Sequence, residues 1–212
     1  MKICHIFAGG DLGNVADSRF IRERGFVICA DSGYKHAKKL KIRPDVIVGD
    51  FDSYSGDLPT DCEIIRTVPE KDDTDTLMAV KIAIERGFDL IYLYGALGGP
   101  RFDHAFANIQ TMLYAREHGA SLILIGNETV CVQGAEDGEA MYTDESRRWG
   151  YKYLSVFALT ETVKIQELRG VKYPLSCYEM KQSFPIGVSN EITDGAAFLT
   201  IESGLALVIQ TK

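Results

Sequence analysis

The chain has 212 residues, 46% of them hydrophobic and 25% charged, which excludes a disordered or fibrous protein and fits one large or two small domains. Acidic side chains outnumber basic ones, 30 against 23, and the formal charge of −7 argues against sequence-independent binding to nucleic acid or anionic membranes. The N-terminus lacks the apolar run of a signal peptide, and no stretch approaches about 18 apolar residues, so we expect a cytoplasmic protein without a membrane span.

The cysteines are scattered along the chain, odd in number and without the close spacing of zinc sites or redox dithiols. This pattern predicts reduced thiols buried in the core. The five are Cys4, Cys29, Cys62, Cys131 and Cys177.

Up to about residue 127, short apolar runs alternate with longer amphipathic ones, which predicts alternating strands and helices. The predicted strands are 2–8, 26–30, 45–49, 63–67, 90–94 and 122–125, and the clearest helices are 74–86 and 102–118. Such alternation indicates an α/β fold, a parallel sheet with helices on both faces in three layers. Ligands of such sheets bind at the carboxyl ends of the strands, so the loops there are the first places to look for chemistry.

After residue 127 the pattern changes to β-type runs separated by turns. The predicted strands are 129–133, 153–159, 162–168, 197–202 and 205–210, with turns or a hairpin over 135–148 and no long helix. We therefore expect an α/β domain over residues 1–127 and a small all-β sandwich domain over residues 128–212.

Two carboxylates, Asp50 and Asp52, follow the β-branched run that ends at Gly49. They would face the same way if the chain stays extended, and two such charges about 4 Å apart would repel by roughly 1 kcal/mol even in water. A cation between them is one interpretation, and a plain turn with aspartate as a cap is the other.

A second acidic cluster, residues 71–76, lies at the predicted start of a helix. Capping and the helix dipole favour a carboxylate there, but Asp72, Asp73 and Asp75 are more than capping requires. Hard oxygen ligands of this kind suit Mg²⁺ bound together with substrate phosphates, and Lys71 would then meet phosphate oxygens.

A glycine-rich loop, residues 94–104, follows one predicted strand and precedes a helix. Its glycines allow close approach to a ligand and Arg101 adds a positive charge, although a tight turn capped by Asp103 is the simpler alternative. Neither this loop nor residues 9–13 match a Walker A or dinucleotide fingerprint. We expect no histidine base and no serine or cysteine nucleophile.

A fourth segment, Ala30-Asp31-Ser32-Gly33, also ends a strand and opens a helix. With Gly49-Asp50-Phe51-Asp52-Ser53, Asp72-Asp73-Thr74-Asp75, Arg101-Phe102-Asp103-His104 and Ser189-Asn190-Glu191, it forms an ordered set that resembles the motifs of the thiamine pyrophosphokinase family. The resemblance extends over nearly the whole chain.

The resemblance implies an N-terminal α/β domain that binds ATP and Mg²⁺, a C-terminal β-sandwich that binds thiamine, and a homodimer with active sites at the subunit interface. The implied reaction transfers pyrophosphate from ATP to the hydroxyl of thiamine, giving thiamine diphosphate and AMP. The implied metal and phosphate ligands are Asp50, Asp52 and Asp75. The implied nucleotide site comprises Asp31, Ser32, Asp72, Thr74, Gly98 and Arg101, and the residues implied to act in catalysis are Lys71, Asp75, Arg101 and Asp103. The implied thiamine contacts are Tyr173, Ser189 and Asn190.

In the implied reaction the thiamine hydroxyl attacks the β-phosphorus in line, and Asp75 or Asp103 accepts its proton. Two other functions stay open at this point: a Mg²⁺-dependent phosphotransferase acting on another small alcohol, and a non-catalytic sensor of thiamine or a nucleotide. A substrate screen with AMP detection separates the first from the implied reaction, and binding without AMP release would favour the second.

Overall fold

The structure is a computed structural model that describes residues 1–13, 15, 20–51, 56–68, 73–143, 151–193 and 195–212. The chain divides into two compact units, Met1–Asn127 and Glu128–Lys212. Each is described separately below.

The first unit is built on a six-stranded parallel sheet. Its strands are β1 (Ile3–Phe7), β2 (Phe26–Ala30), β3 (Val46–Gly49), β4 (Glu63–Arg66), β5 (Leu90–Tyr94) and β6 (Ser121–Ile125). Their spatial order is β6-β5-β1-β2-β3-β4. Its helices are α1 (Tyr34–Lys39), α2 (Asp75–Glu85) and α3 (Phe102–Glu117).

Buried apolar side chains on both faces explain why β1, β2, β3 and β5 have nearly continuous apolar sequences. Phe7, Cys29 and Ile47 point to the face that α1 covers, where they pack with Tyr34 and Ala37. Alternate residues of the same strands point to the other face, which α2 covers. The predicted three-layer α/β architecture is therefore confirmed.

Strand order reverses between β1 and β5. Strands β2, β3 and β4 lie on one side of β1, whereas β5 and β6 lie on its other side. At such a switch point the loops leaving the two neighbouring strands diverge and open a crevice outside their carboxyl ends. The loops after β1, β2, β3 and β5 all leave this edge of the sheet.

The second unit is an antiparallel β-sandwich. Its strands are β7 (Thr129–Gly134), β8 (Glu139–Thr143), β9 (Tyr153–Ala158), β10 (Thr162–Arg169), β11 (Leu175–Lys181), β12 (Asn190–Glu191), β13 (Ala196–Ser203) and β14 (Leu205–Thr211). One layer has the order β12-β9-β14-β7 and the other β11-β10-β13-β8, with an apolar core drawn from both. The predicted sandwich is confirmed.

Two expectations about this unit need correction. The strand Leu175–Lys181 was not predicted, because it is an edge strand with mostly exposed side chains and little apolar alternation. Cys177, on that strand, is exposed, so the expectation that every cysteine is a core residue is wrong. Cys4 and Cys29 are buried as expected, and burial raises the pKa of both thiols.

In the described part of the chain, no helix is both long enough and apolar enough to cross a membrane.

Candidate active site

A cavity of about 440 Å³ lies at the switch point of the first unit. This volume is within the usual range for a small-molecule site. The loops after β1, β2, β3 and β5 line it, together with the first turns of α2 and α3. The site residues expected from the sequence that line it are Asp31, Ser32, Asp50, Thr74, Asp75, Gly98 and Arg101.

Two glycine-containing loops form one wall of the cavity: the β1 loop, residues 8–11, and the β5 loop, residues 95–101. Backbone hydrogen bonds join them, from the Gly10 amide to the Gly95 carbonyl (3.0 Å) and from the Asp11 amide to the Gly98 carbonyl (3.2 Å). A Cβ at Gly10 would lie 2.6 Å from both carbonyl oxygens, so only glycine fits there. The wall is therefore built largely from backbone.

Asp31 and Asp50 line the same cavity, and Gly49, which precedes Asp50, allows the end of β3 to approach Asp31 at the end of β2. A Cβ at Gly49 would be 3.0 Å from the Asp31 Cα. Asp31 and Phe51 both have positive φ, 46° and 62°, which is costly for residues other than glycine and is found most often at functional sites. Phe51 packs against the core and under the Arg66 guanidinium, 5.1 Å from its ring centroid, and these contacts offset that cost.

The positive φ of Phe51 differs from the extended chain assumed between Asp50 and Asp52. Phe51, between Asp50 and Asp52, is not extended, so the condition under which the two carboxylates would face the same way is not met at this residue. Asp52 itself lies outside the described residues, as do Lys71 and Asp72. Their expected roles stay predictions.

At the start of α2, the residue that caps the helix is a threonine, and the neighbouring aspartates make other contacts. Thr74 caps the helix, its Oγ1 accepting from the Leu77 amide at 3.1 Å, so no aspartate is needed for that purpose. Asp73 accepts a hydrogen bond from Lys81 at 2.5 Å, which raises the pKa of the lysine. Asp75 lines the cavity from the first turn of α2.

The carboxylates that line the cavity can be compared with the ligands that Mg²⁺ takes in proteins. Within the described residues, no three acidic, histidine or cysteine side chains are grouped as a metal site. Mg²⁺ usually takes only one or two carboxylates and completes its shell with substrate phosphates and water. Asp50, after β3, and Asp75, in the first turn of α2, line the same cavity and are hard oxygen donors, so the donor set fits this ion.

Arg101 and Asp103 form an exposed ion pair. The guanidinium donates twice to the carboxylate, from Nε at 3.1 Å and from an Nη nitrogen at 2.5 Å. This pairing lowers the pKa of Asp103 to about 2. Arg101 lines the cavity, whereas Asp103 is not among the described lining residues. The carboxylate therefore holds the arginine and is a weak base while it does so.

Arg101→Met should raise the pKa of Asp103 from about 2 towards the usual aspartate value of about 4, because the hydrogen bonds that stabilise the charged carboxylate are lost. Carbon-detected NMR titration of the side-chain carboxyl measures it. The folded-state pKa is depressed, so any contribution of the pair to stability is present above the unfolded value and is lost as the pH falls towards 2. An unchanged pKa in the variant would mean that the pair does not form in solution.

Three side chains around the cavity were not assigned to the site from the sequence. Asn108 is buried on α3 and donates to the Ala96 carbonyl of the β5 loop at 2.8 Å. His36 on α1 bonds the Gly10 carbonyl at 2.8 Å, and His104 lines the cavity. An amide or imidazole on a helix gives no local signal of a partner in a distant loop, so no sequence pattern pointed to Asn108 or His36.

In the second unit, Asn190 and Tyr173 are bonded to each other. The Asn190 amide accepts from the Tyr173 N–H at 3.0 Å and donates to the Tyr173 carbonyl at 2.8 Å. Asn190 is buried, whereas the Tyr173 side chain is 65% exposed and is not a core aromatic. Ser189 has a φ of 55°, and its amide donates to Ser155 Oγ at 2.9 Å. Asn190 therefore fixes the backbone that carries an exposed aromatic ring.

The switch-point cavity, with its glycine loops, carboxylates and arginine, defines the class of protein: an α/β protein with a small-molecule site at the carboxyl ends of its parallel strands. Residues 18–124 match the thiamin pyrophosphokinase catalytic domain, and residues 142–206 match the thiamin pyrophosphokinase vitamin B1 binding domain. The first match covers more than half of the 212 residues, and the chain belongs to the thiamin pyrophosphokinase family.

Individual relatives agree with this. Thiamine pyrophosphokinase of Bacillus subtilis is 28% identical over 220 residues, which cover 100% of this chain and 99% of the relative. The crystal structure of a Bacillus subtilis thiamine pyrophosphokinase superimposes with a TM-score of 0.84 at 25% identity, covering 100% of this chain and 99% of that one. That of the Geobacillus thermodenitrificans enzyme has a TM-score of 0.81 at 27% identity, covering 99% and 97%.

Proposed function

We propose that the protein transfers the terminal pyrophosphate of ATP to the hydroxyl of thiamine, giving thiamine diphosphate and AMP. The observation that carries this proposal is the cavity at the strand-order reversal. There, Asp31, Asp50, Asp75 and Arg101 come together from four different loops or helix starts of a chain that belongs to this family. Membership of the family indicates the reaction, and the cavity is where we propose that the phosphates of ATP bind.

The charges of the cavity support ATP bound with Mg²⁺. Among the described residues, Asp31, Asp50, Asp73 and Asp75 line it together with Arg101, and Asp73 accepts a hydrogen bond from Lys81. A bare polyphosphate would be repelled by this lining, so bound cations are needed to reverse its sign. Mg²⁺ held by Asp50 and Asp75, with Asp52 as a further ligand, would supply that charge and stabilise charge developing on the leaving AMP.

The chain's own residues supply positioning and proton transfer. The glycine loops bring backbone close to the phosphates, and Arg101 provides a fixed positive charge beside them. The thiamine hydroxyl oxygen forms a bond to the β-phosphorus while the bond from that phosphorus to the bridging α,β-oxygen breaks. Of the two aspartates considered as proton acceptors, Asp103 is disfavoured by its pKa of about 2. Asp75, which lines the cavity, is the other candidate.

Tyr173, Ser189 and Asn190 are proposed to bind thiamine. The exposed Tyr173 ring is available to stack on an aromatic, cationic ligand, and the Asn190 amide holds the tyrosine backbone in place. In this proposal Asn190 acts partly through Tyr173, since its amide nitrogen and oxygen are both bonded to that residue's backbone.

We further propose a cytoplasmic homodimer with its active sites at the subunit interface. All five cysteines are free thiols, which suits a reducing compartment. Large apolar side chains that are exposed in the single chain support a protein interface. They include Phe102 and Phe106 on α3 and Phe184, Ile186 and Val188 in the second unit.

Incubating the purified protein with ATP, Mg²⁺ and thiamine, and following products by chromatography, tests the reaction. Equal amounts of AMP and thiamine diphosphate are expected, with neither formed when thiamine or the metal is omitted. ADP with thiamine monophosphate would show that a different phosphate bond is cleaved. Binding of both ligands without any product would favour a sensor, and AMP formed only with another alcohol would favour a different phosphotransferase.

A further inference from the structure

The β1 and β5 loops are hydrogen-bonded to each other, and each is also hydrogen-bonded to a side chain of a helix. Their mutual contacts are backbone hydrogen bonds, including that from the Ala8 amide to the Tyr94 carbonyl at 2.8 Å. On the α3 side, Asn108 holds the β5 loop through the Ala96 carbonyl. On the α1 side, the corresponding contact to the β1 loop comes from His36.

His36 is hydrogen-bonded to the carbonyl of a peptide group whose N–H is hydrogen-bonded to the β5 loop. The peptide between Gly10 and Asp11 presents its carbonyl to His36 Nε2 at 2.8 Å and its N–H to the Gly98 carbonyl at 3.2 Å. A carbonyl oxygen only accepts, so Nε2 carries the proton in this contact. The histidine thereby sets the plane of the peptide that links α1 to both glycine loops.

We propose that His36 is a positioning residue for nucleotide binding, acting through the Gly10 carbonyl on the backbone wall of the cavity. The inference rests on the proposed function and deepens it. Without the imidazole donor, the Gly10–Asp11 peptide can rotate, which loosens the hydrogen bond to Gly98 and moves both loops away from the phosphates. The effect falls on ATP rather than on thiamine, because the wall belongs to the switch-point cavity.

Two substitutions at position 36 and one control separate positioning from general folding. His36→Leu keeps most of the side-chain volume without a donor, whereas His36→Gln carries an amide N–H that reaches the position of Nε2. His118→Leu is the matched control. His118 follows the last residue of α3, at the end away from the cavity, and its Nδ1 bonds the Tyr114 carbonyl at 2.8 Å.

Calorimetric titration with ATP and Mg²⁺ is the primary readout. His36→Leu should weaken ATP binding roughly tenfold, as expected for losing one donor to a constrained carbonyl, and His36→Gln should restore it to within about threefold. In turnover assays the KM for ATP should rise in step, with the KM for thiamine unchanged and kcat altered by less than about threefold. His118→Leu should leave ATP binding unchanged.

A lower melting temperature in His36→Leu with unchanged ATP affinity would overturn the proposal, because it would assign His36 a folding role only. Equal weakening in His36→Gln and His36→Leu would also overturn it, since the donor would then not matter. The binding readout is independent of the chemistry. Wild-type protein that binds ATP but forms no thiamine diphosphate would refute the proposed function, while the variants would still decide the role of His36.

Discussion

Asp50→Asn is expected to lower kcat for pyrophosphate transfer roughly a hundred- to a thousandfold while leaving the protein folded. Asparagine has nearly the same shape as aspartate but carries no charge, so the change removes an anionic oxygen donor from the proposed metal site without creating a void. Asp50 directly follows β3 and lines the cavity together with Asp31 and Asp75, where we propose that Mg²⁺ binds with ATP. The loss should therefore appear in the metal dependence as well as in the rate.

The measurement is initial rate against Mg²⁺ concentration at saturating ATP and thiamine. The half-saturating Mg²⁺ concentration should rise about tenfold or more in Asp50→Asn, because one carboxylate ligand is missing. Asp61→Asn is the matched control in the same unit. Asp61 is exposed, paired with Arg43 at 3.0 Å and absent from the cavity lining, so its variant should keep wild-type activity. Normal turnover of Asp50→Asn with unchanged Mg²⁺ dependence would remove Asp50 from the metal site.

The sheet and its functional edge could be predicted from the sequence because local pattern and global fold agree there. Strands buried on both faces need apolar, mostly β-branched residues, as in Val46–Gly49, and the loops that follow them must leave the sheet at one edge. The glycines and aspartates after these strands were therefore recognisable without a structure. The edge strand Leu175–Lys181 lacked that signal, since exposure removes the apolar alternation that marks a strand.

What the sequence could not specify are the partners of individual polar groups. In the sequence Asp72, Asp73 and Asp75 are equivalent, whereas in the structure Asp73 accepts a hydrogen bond from Lys81, two turns along α2. The pairing of Arg101 with Asp103 likewise alters which aspartate is a credible base. The left-handed conformation of Phe51 is unusual for a bulky residue, and only tertiary packing stabilises it. Such facts depend on which side chains meet in the folded chain, which residue types alone do not encode.

Asn190→Ala is expected to lower kcat/KM for thiamine roughly a hundredfold, because it leaves the N–H and carbonyl of Tyr173 without their amide partner and frees the aromatic ring. Combined with Asp50→Asn, it also tests whether active sites form between subunits. Each variant alone should be nearly inactive, since one lacks a carboxylate in the first unit and the other lacks an amide in the second.

Co-expression of the two variants with different affinity tags allows the mixed dimer to be purified by two successive columns. If each site combines the first unit of one subunit with the second unit of its partner, one of the two sites in the mixed dimer contains neither substitution. That dimer should recover about half of the wild-type activity, whereas sites formed within single chains would each keep one substitution and recover none. A single-chain mass in sedimentation at assay concentration would refute the dimer itself, and full stability of that monomer would show that the exposed apolar side chains need no partner.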